Sequence, residues 1–295
     1  MPAKGTVFLN HSAGSKLSQA EVAAFTAAAA DAGLEVIELS RDVDIAGTIR
    51  DHIRSGRNLF LAAGGDGTVH HVVQALVHTD AVLGVIPAGT YNHFARDLNI
   101  PLDWREALEV ALTGELRQID AARINDRFFL NNVSMGLYPE LVKKREERGR
   151  DYPRWKARLI AGYATLRKYP HVTVAVESEH HQELIRTHVF IVSNNSYDLS
   201  RIGIEAPRTN LEEGLLSVYW LPHISRWQLT KFVARYLAGR MREVPGFRSF
   251  RTRRLRVQSS RPHLHVGVDG EVFTMLTPLV LTIVPQSLLV RVPRG

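Results

Sequence analysis

Short apolar runs alternate with segments of helical spacing in the first third of the chain. The runs predict strands, and the segments between them place apolar residues three or four positions apart, as in helices. The predicted strands are Thr6–Leu9, Leu34–Leu39, Asn58–Ala62 and Ala81–Ile86, and the predicted helices are Ser18–Ala32, Ile45–Arg54 and one after Gly67. Ser18 and Glu21 have the spacing of a capping box at a helix start. This alternation predicts an open, mainly parallel sheet with helices on both faces.

The pattern changes near Leu116, where paired strand-like runs replace the alternation and helical segments become sparse. The runs are Arg127–Val133, His171–Val176, Leu184–Val192, Leu215–Leu221, Leu255–Gln258 and His263–Val268. Two helical stretches interrupt them, Glu140–Lys168, which is broken near Pro153, and Ser225–Gly239. A second, β-rich domain is therefore predicted after the first.

Length and composition agree with this organisation. A chain of 295 residues corresponds to about two domains, and 45% hydrophobic with 23% charged residues is typical of a folded globular protein. The absence of cysteine excludes disulfides and thiol chemistry. No apolar stretch reaches the roughly 18 residues of a membrane span, and the run near the start is too short for a signal peptide. We therefore expect a cytoplasmic protein whose contact with any membrane is peripheral.

The net charge of +7 is distributed unevenly along the chain. Residues 1–123 carry 10 Lys and Arg against 15 Asp and Glu, whereas residues 124–295 carry 27 against 15. The first part is therefore net −5 and the second net +12. A basic surface attracts nucleic acids, anionic lipid headgroups or phosphorylated small molecules, and the charge alone does not choose among them.

The segment Leu59–Val69 reads LFLAAGGDGTV, an apolar strand that runs directly into Gly64, Gly65, Asp66 and Gly67 and then into a helix. Glycines let backbone N–H groups approach an anion closely, and the amino end of the helix adds a favourable dipole. This arrangement predicts a phosphate cradle. The alternative is a glycine-rich turn in which Asp66 caps the helix.

Two further polar loops follow predicted strands, Pro87–Asp97 and Asn10–Gly14. Loops that follow parallel strands lie at the same edge of the sheet, where ligands bind. We therefore expect all three loops to converge on one ligand. The alternative is that their Gly and Asn residues serve only the turns.

The fourth element lies far along the chain, at Val268–Glu271, where two carboxylates flank a glycine. Asp269 and Glu271 suit general-base or metal-bridging chemistry. The alternative is a two-residue hairpin turn of the Asp-Gly type between two strands.

Together these motifs resemble the diacylglycerol kinase catalytic-domain family, which is related to NAD kinases and phosphofructokinases. The resemblance is carried by GGDGT, by the loop Gly89–Arg96, by Asp120 in Gln118-Ile119-Asp120, by Asn131–Tyr138 and by the late DGE. It implies a Rossmann-like α/β domain over residues 1–123, completed by a strand near Leu288–Val292 within about 286–295. It also implies an acceptor-binding β-sandwich domain over 124–285, with ATP bound between the two.

The resemblance also assigns site residues. The nucleotide-binding set is Asn10, His11, Ser12, Ala13, Gly14, Ser40, Gly64, Gly65, Asp66, Gly67, Thr68, Val69, His70, His71, Gly89, Thr90 and Asn92. Asp66 and Asp120 help to organise Mg²⁺, an ion that prefers oxygen ligands. Asp269 and Glu271 match the general-base carboxylates, and the sequence does not decide which of them takes the proton.

Three positions depart from the family pattern. His11 replaces a proline in the first loop, and His93 replaces an aspartate in the second. In the loop that holds a structural metal, Glu213 stands in place of an aspartate. If that site exists here, Glu213 supplies its carboxylate, and Asn210 and Leu215 supply backbone carbonyls.

The resemblance implies an ATP- and Mg²⁺-dependent kinase that phosphorylates a hydroxyl of a diacylglycerol-like or related lipid. A kinase of a soluble polyol or nucleotide stays open, as does a non-catalytic regulator that binds nucleotide or lipid. Five arginines in Phe247–Val257 are either a solvated strand face or a patch for anionic lipid headgroups. Lys143–Arg158 is either an interfacial helix or a charged helical face. No nucleic-acid partner is expected, and a homodimer stays open.

Overall fold

The computed structural model of the protein describes residues 5–11, 17–40, 42–136, 171–196, 210–222 and 248–294. Ser12, Ala13, Gly14 and the helical stretches predicted at Glu140–Lys168 and Ser225–Gly239 lie outside these residues. The chain divides into two compact units. Unit 1 comprises Met1–Ala121, Thr209–Gly214 and Val284–Gly295, and unit 2 comprises Ala122–Arg208 and Leu215–Ile283.

Unit 1 is built on a parallel sheet, as the alternation predicts, and its strand order is β2-β1-β3-β4. Its strands are β1 (Gly5–Leu9), β2 (Leu34–Glu38), β3 (Leu59–Gly64) and β4 (Val82–Pro87). Its helices are α1 (Gln19–Asp31), α2 (Ile45–Arg54), α3 (Asp66–Leu76), α4 (His93–Asp97) and α5 (Trp104–Thr113). Every residue of β1, β3 and β4 is buried, because a parallel sheet is covered on both faces, and these strands are accordingly continuous apolar runs.

Capping residues in the sequence determine where two of these helices begin. The capping box before α1 forms as predicted: the Glu21 N–H donates to the Ser18 hydroxyl at 3.3 Å, and the Ser18 N–H donates to the Glu21 carboxylate at 2.9 Å. Helix α5 was not predicted. It begins after Asp103, whose carboxylate accepts the Arg105 N–H at 2.8 Å, and it buries one apolar stripe. The buried stripe is Trp104, Ala107, Leu108 and Ala111.

Unit 2 is an antiparallel β structure with its own apolar core. The strands from the middle of the chain are β5 (Glu115–Ile124), β6 (Arg127–Phe129), β7 (Asn132–Gly136), β8 (Val172–Ser178), β9 (Gln182–Asn194) and β10 (Leu216–Pro222). The later strands are β11 (Arg248–Thr252), β12 (Arg254–Ser259), β13 (His263–Val268), β14 (Glu271–Leu276) and β15 (Leu279–Val292). Strands β5 and β15 contribute residues to both units.

Strand β9 organises unit 2 because its 13 residues pair with three neighbours. Its first half pairs with β8, and its second half lies between β7 and β10. Alternate residues of β8 and β12 face the core, for example Val174 and Val176 in β8 and Leu255 and Val257 in β12. This period of two is the pattern that predicted strands here.

Two predicted boundaries are corrected by the structure. The run Arg127–Val133 is not one strand, because the chain breaks between β6 and β7 at Leu130 and Asn131. Residues 209–214, predicted to belong to the second domain, pack with unit 1. They do so because the Asp120 carboxylate accepts the Gly214 N–H at 2.7 Å and the Asp120 N–H donates to the Leu211 carbonyl at 2.8 Å.

An ion pair at the edge of unit 1 makes its stability depend on pH. The Arg57 guanidinium donates a hydrogen bond to Glu35, and this bond lowers the pKa of the Glu35 carboxyl. A lowered folded-state pKa stabilises the fold above the ordinary pKa of glutamate, and the contribution is lost as pH falls through the folded value. Because 47% of the Glu35 side chain is exposed, we expect only about 0.5 kcal/mol.

The measurement is urea unfolding of the protein and of Glu35→Gln at several pH values. The variant should be less stable by about 0.5 kcal/mol near pH 7, and the difference should disappear as the pH falls below the ordinary pKa of glutamate and through the lowered folded-state value. Glu115→Gln, at an exposed position at the start of β5, is the control and should show no such convergence. A difference that persists at the acid end contradicts this assignment.

Candidate functional site in unit 1 and the Asp-Gly-Glu hairpin

The three polar loops of unit 1 contact one another at the carboxyl ends of β1, β3 and β4. The Asn10 side-chain amide, after β1, donates to the Thr68 hydroxyl at 3.1 Å, which joins the first loop to the start of α3. The Asp66 carboxylate accepts the Phe94 N–H at 3.2 Å, which joins the start of α3 to the loop after β4. The sheet therefore brings together the described parts of all three loops.

A third contact, between the loop after β3 and the loop after β4, is made by backbone alone. A Cβ atom added to Gly89 would lie 2.3 Å from the Gly65 Cα and 3.2 Å from the Gly65 nitrogen. No side chain fits at Gly89 while the two loops keep this spacing. The glycines of both loops are therefore needed for close packing of backbone against backbone.

Asn92 fixes the shape of the loop after β4. Its backbone is left-handed, with φ of 53°, a conformation that asparagine tolerates better than most residues. Its side chain is buried and brackets Gly89, since it accepts the Gly89 N–H at 3.0 Å and donates to the Gly89 carbonyl at 2.9 Å. Asn92, predicted to bind nucleotide, thus has its amide committed to positioning Gly89.

Helix α3 begins at Asp66, directly behind the glycines of β3 and its loop. Gly65 is the N-cap and supplies no side-chain hydrogen bond. Asp66 is the first helical residue and not the cap, and its carboxylate reaches the neighbouring loop instead. The Thr68 and Val69 N–H groups donate to the Gly65 carbonyl, at 3.0 and 3.2 Å. No hydrogen bond to a described residue takes the N–H groups of Asp66 and Gly67, and together with the helix dipole these two favour an anion.

Burial divides the predicted nucleotide-binding residues into two groups. The exposed or half-buried residues are Asn10, His11, Ser40, Gly65, Asp66, Gly67, His71 and Thr90. The buried residues are Gly64, Thr68, Val69, His70, Gly89 and Asn92. The exposed and half-buried residues are at the surface of unit 1, where a ligand could contact them. The buried residues support the loops from the interior.

The two histidines that depart from the family pattern have identifiable neighbours. His11 lies 3.2 Å from the Glu38 carboxylate, measured from Nε2 to Oε2. The His93 ring stacks on Tyr91, with centroids 5.5 Å apart and planes 5° from parallel. Tyr91 is 44% exposed and was not among the predicted site residues. An aromatic residue directly after Gly89 and Thr90, in a loop predicted to bind a ligand, is the signal in the sequence that makes Tyr91 a further candidate.

Asp120 is almost fully buried in unit 1, with 1% of its surface exposed. One carboxylate oxygen accepts the Gly214 N–H, and the other accepts the Gln286 N–H at 2.9 Å. Asn210 accepts the Glu212 N–H at 2.9 Å through its side-chain oxygen. Asp120 therefore holds the segment that contains Asn210 and Glu213 beside β15.

Within the described ranges, no three His, Cys, Asp or Glu side chains are grouped so that they could hold a metal ion. Asp66 is half-buried at the anion-accepting end of α3, and one of its oxygens is not used by Phe94. A single carboxylate together with phosphate oxygens and water is a normal environment for Mg²⁺. Asp66 fits that role, whereas the metal roles of Asp120, Asn210, Glu213 and Leu215 stay predictions.

In unit 2 the Asp-Gly-Glu motif is a hairpin turn whose aspartate carries a second task. Asp269 and Gly270 have φ of 48° and 93°, as a two-residue turn between paired strands requires. The Asp269 carboxylate accepts three backbone N–H groups, from Leu130 at 2.8 Å, Asn131 at 2.8 Å and Asn132 at 3.1 Å. The backbone of the motif is thus the predicted hairpin turn. The Asp269 side chain anchors this turn to the segment Leu130–Asn132.

Glu271 differs from Asp269 in the contacts of its carboxylate. It is the first residue of β14, opposite Val268, and it is half-buried. No hydrogen bond or ion pair from the described part of the chain engages its carboxylate. Of the two carboxylates in the motif, Glu271 is the one that is not committed to holding the structure.

Comparisons with known proteins cover nearly the whole chain. The family model described as the diacylglycerol kinase catalytic domain matches residues 4–124, and the YegS C-terminal NAD kinase beta sandwich-like domain matches residues 133–292. A diacylglycerol kinase of Mycobacterium tuberculosis is 27% identical over 251 residues, which are 82% of this chain and 79% of the relative. A diacylglycerol kinase of Bacillus subtilis is 43% identical over 88 residues, 29% of each chain.

Two crystal structures of Bacillus anthracis proteins share the fold. They align with 98% of this chain and 97% of their own, with TM-scores of 0.74 and 0.69 at 18% and 17% identity. The second is of a diacylglycerol kinase. The predicted combination of a parallel α/β domain and a C-terminal β-sandwich is confirmed.

Proposed function

Since the chain belongs to the family of diacylglycerol kinase catalytic domains with a YegS-type C-terminal domain, we propose that it transfers the γ-phosphoryl group of ATP to a hydroxyl of a diacylglycerol-like lipid. The observation that carries the proposal is the meeting of three loops at the amino end of α3. Phosphoryl transfer depends on positioning and on neutralising charge, which such a cradle of backbone groups provides.

ATP binds, in this proposal, through its phosphates to the loops of unit 1. Gly65 and Gly67 admit the phosphates close to the backbone, and the first turn of α3 donates N–H groups to them. Asn10 and Thr90 lie on the flanking loops. Mg²⁺, bound by Asp66 and the phosphates, supplies neutralisation of the charge that develops during transfer.

Glu271 of unit 2 is the general base. It takes the proton of the acceptor hydroxyl as that oxygen bonds to the γ-phosphorus and the bond from phosphorus to the β-phosphate oxygen breaks. The products are ADP and the phosphorylated lipid. Asp269 is a positioning residue in this scheme, because its three backbone hydrogen bonds fix the turn from which Glu271 extends.

The test is transfer of labelled γ-phosphate from ATP by the purified protein. We expect labelled phosphatidic acid with vesicles that contain diacylglycerol, and no product when Mg²⁺ is chelated. A reaction of soluble polyols or nucleosides without vesicles would identify the second kinase alternative. ATP binding without turnover toward any acceptor would leave the regulator and overturn the proposed activity.

The acceptor lies in a membrane, so we propose that unit 2 binds the anionic membrane surface. No helix in the described part of the chain combines the length and apolar character needed to cross a bilayer. Arg253, directly before β12, and Arg254 and Arg256, in β12, are exposed, while Leu255 and Val257 face the core. No ion pair with another described residue engages these three guanidinium groups.

Replacing Arg253, Arg254 and Arg256 by glutamine should weaken binding to phosphatidylglycerol vesicles roughly 100-fold, at about 1 kcal/mol for each charge. Vesicle sedimentation at low and high salt measures the effect. The control variant changes the net charge by the same amount, because three exposed arginines of unit 1 are replaced by glutamine. They are Arg50, Arg54 and Arg105. Equal losses in both triple variants would mean that only the total charge matters.

A further inference from the structure

The segment Leu130–Asn132, which joins β6 to β7 and includes the first residue of β7, has all three of its N–H groups bound to one side chain. Leu130, Asn131 and Asn132 donate to the Asp269 carboxylate, and Asp269 returns its own N–H to the Asn132 carbonyl at 3.0 Å. Three N–H groups that converge on one carboxylate form an anion-binding concavity. The position of Asp269 therefore depends on how this segment is held.

The carbonyl groups of the same segment are held by the end of β9. The Asn194 side-chain amide donates to the Leu130 carbonyl at 3.0 Å, and the Asn194 N–H donates to the Asn131 carbonyl, also at 3.0 Å. The Ser193 hydroxyl reaches the Asn131 carbonyl at 3.3 Å. With Asp269 on one side and Asn194 on the other, every N–H and carbonyl group of Leu130–Asn132 has a partner.

The geometry fixes which end of the Asn194 amide faces the segment. The Leu130 carbonyl can only accept a hydrogen bond, so the end of the Asn194 amide that lies 3.0 Å from it is the nitrogen, and the amide oxygen accepts from the Asn195 side chain at 3.3 Å. Asn194 is 1% exposed and Asn195 is fully buried, so water does not readily substitute for a lost donor. The site requires a donor, and aspartate, of the same shape, presents only acceptors when ionised.

We infer that Asn194 is a positioning residue for the Asp-Gly-Glu turn, an inference that rests on the proposed function. Asn194 fixes the positions of Leu130 and Asn131 through their carbonyl groups. The N–H groups of these two residues hold the Asp269 carboxylate, and Asp269 in turn holds the turn that carries Glu271. The residue is 75 positions from Asp269 in the sequence, and the family motifs quoted above do not include it.

The experiment compares the protein with Asn194→Asp at a temperature where both are fully folded. We expect kcat for lipid phosphorylation to fall at least about tenfold, while KM for ATP stays within about twofold, because the misplaced group serves the transfer step. The amides of Leu130, Asn131 and Asn132 should exchange their hydrogens about tenfold faster. Should Asn194→Asp not fold, Asn194→Ala removes the donor without adding charge and carries the same expectations.

The matched control is Thr187→Val in the same strand. Thr187 is fully buried, and its hydroxyl donates to the Leu221 carbonyl at 2.6 Å, away from the Leu130–Asn132 segment. This variant should lose stability but keep kcat and the slow exchange of the three amides. Unchanged exchange and kcat in Asn194→Asp, or equal kcat losses in both variants, overturns the inference. Hydrogen exchange needs no turnover, so an inactive wild-type protein would refute the proposed function and still leave the placement of the segment by Asn194 measurable.

Discussion

Glu271→Gln is expected to reduce kcat for lipid phosphorylation about 1000-fold, a typical contribution of a positioned general base. The free energy of unfolding should be unchanged, because no hydrogen bond or ion pair from the described residues depends on this carboxylate. Glutamine keeps the shape of the side chain and removes its ability to accept the proton. Initial rates of phosphate transfer at saturating ATP and lipid measure the effect, and urea unfolding measures the stability.

Two further variants test whether the loss of kcat in Glu271→Gln comes from the missing base. Glu177→Gln removes an exposed carboxylate from β8 of the same unit and should leave kcat unchanged. Asp269→Asn should also abolish transfer, but with a loss of stability of about 2 kcal/mol, because its amide nitrogen opposes backbone N–H groups that the carboxylate accepts. Full activity in Glu271→Gln would exclude Glu271 as the base.

Gly89→Ala is expected to lower kcat/KM for ATP about 100-fold, the scale of loss that follows when a reacting group is displaced by about 1 Å. The added Cβ would meet the Gly65 Cα at 2.3 Å and the Asn92 side-chain oxygen at 2.9 Å. The two loops must separate to admit it. We also expect a loss of about 1 to 3 kcal/mol in stability, as for other overpacked sites.

Gly65→Ala provides a graded control, since the same contact is approached from the other side. A Cβ on Gly65 would lie 3.2 Å from the Gly89 Cα, a tight contact that a small displacement of Gly89 would relieve. Its effect on stability should be smaller than that of Gly89→Ala, whereas its effect on ATP affinity also includes the loss of space for the phosphates at Gly65. Equal losses of stability in the two variants, measured by thermal unfolding, would show that backbone contact between the loops is not the cause.

The elements that position the loops of unit 1 were predictable because the necessary information is local. Strand ends, glycines and helix starts follow each other within a few residues, as in Leu59–Val69. Parallel strands then place successive loops at one edge without further information. Helix α5, which was not predicted, has signals that are equally local, its apolar stripe and the Asp103 cap.

The roles of the buried carboxylates were not predictable in the same way. Asp120 receives hydrogen bonds from residues 94 and 166 positions away, and Asp269 from residues 137 to 139 positions away. Hydrophobic periodicity and turn residues depend on neighbours in the chain, so they do not indicate hydrogen-bond partners that are distant in the sequence. For this reason the sequence left Asp269 and Glu271 equivalent, whereas their hydrogen bonds distinguish them.

The pairing of β15 with β4 has a consequence for how this protein is made. Leu289 and Val290 complete unit 1 by lying parallel to Val82 and Leu83, yet a ribosome produces them some 200 residues after β4. During synthesis, the nascent chain therefore carries β4 with one row of unpaired N–H and carbonyl groups until the last strand arrives. A fragment limited to residues 1–123 keeps that open edge permanently, so unit 1 prepared by simple truncation should aggregate, and any preparation of it should include β15.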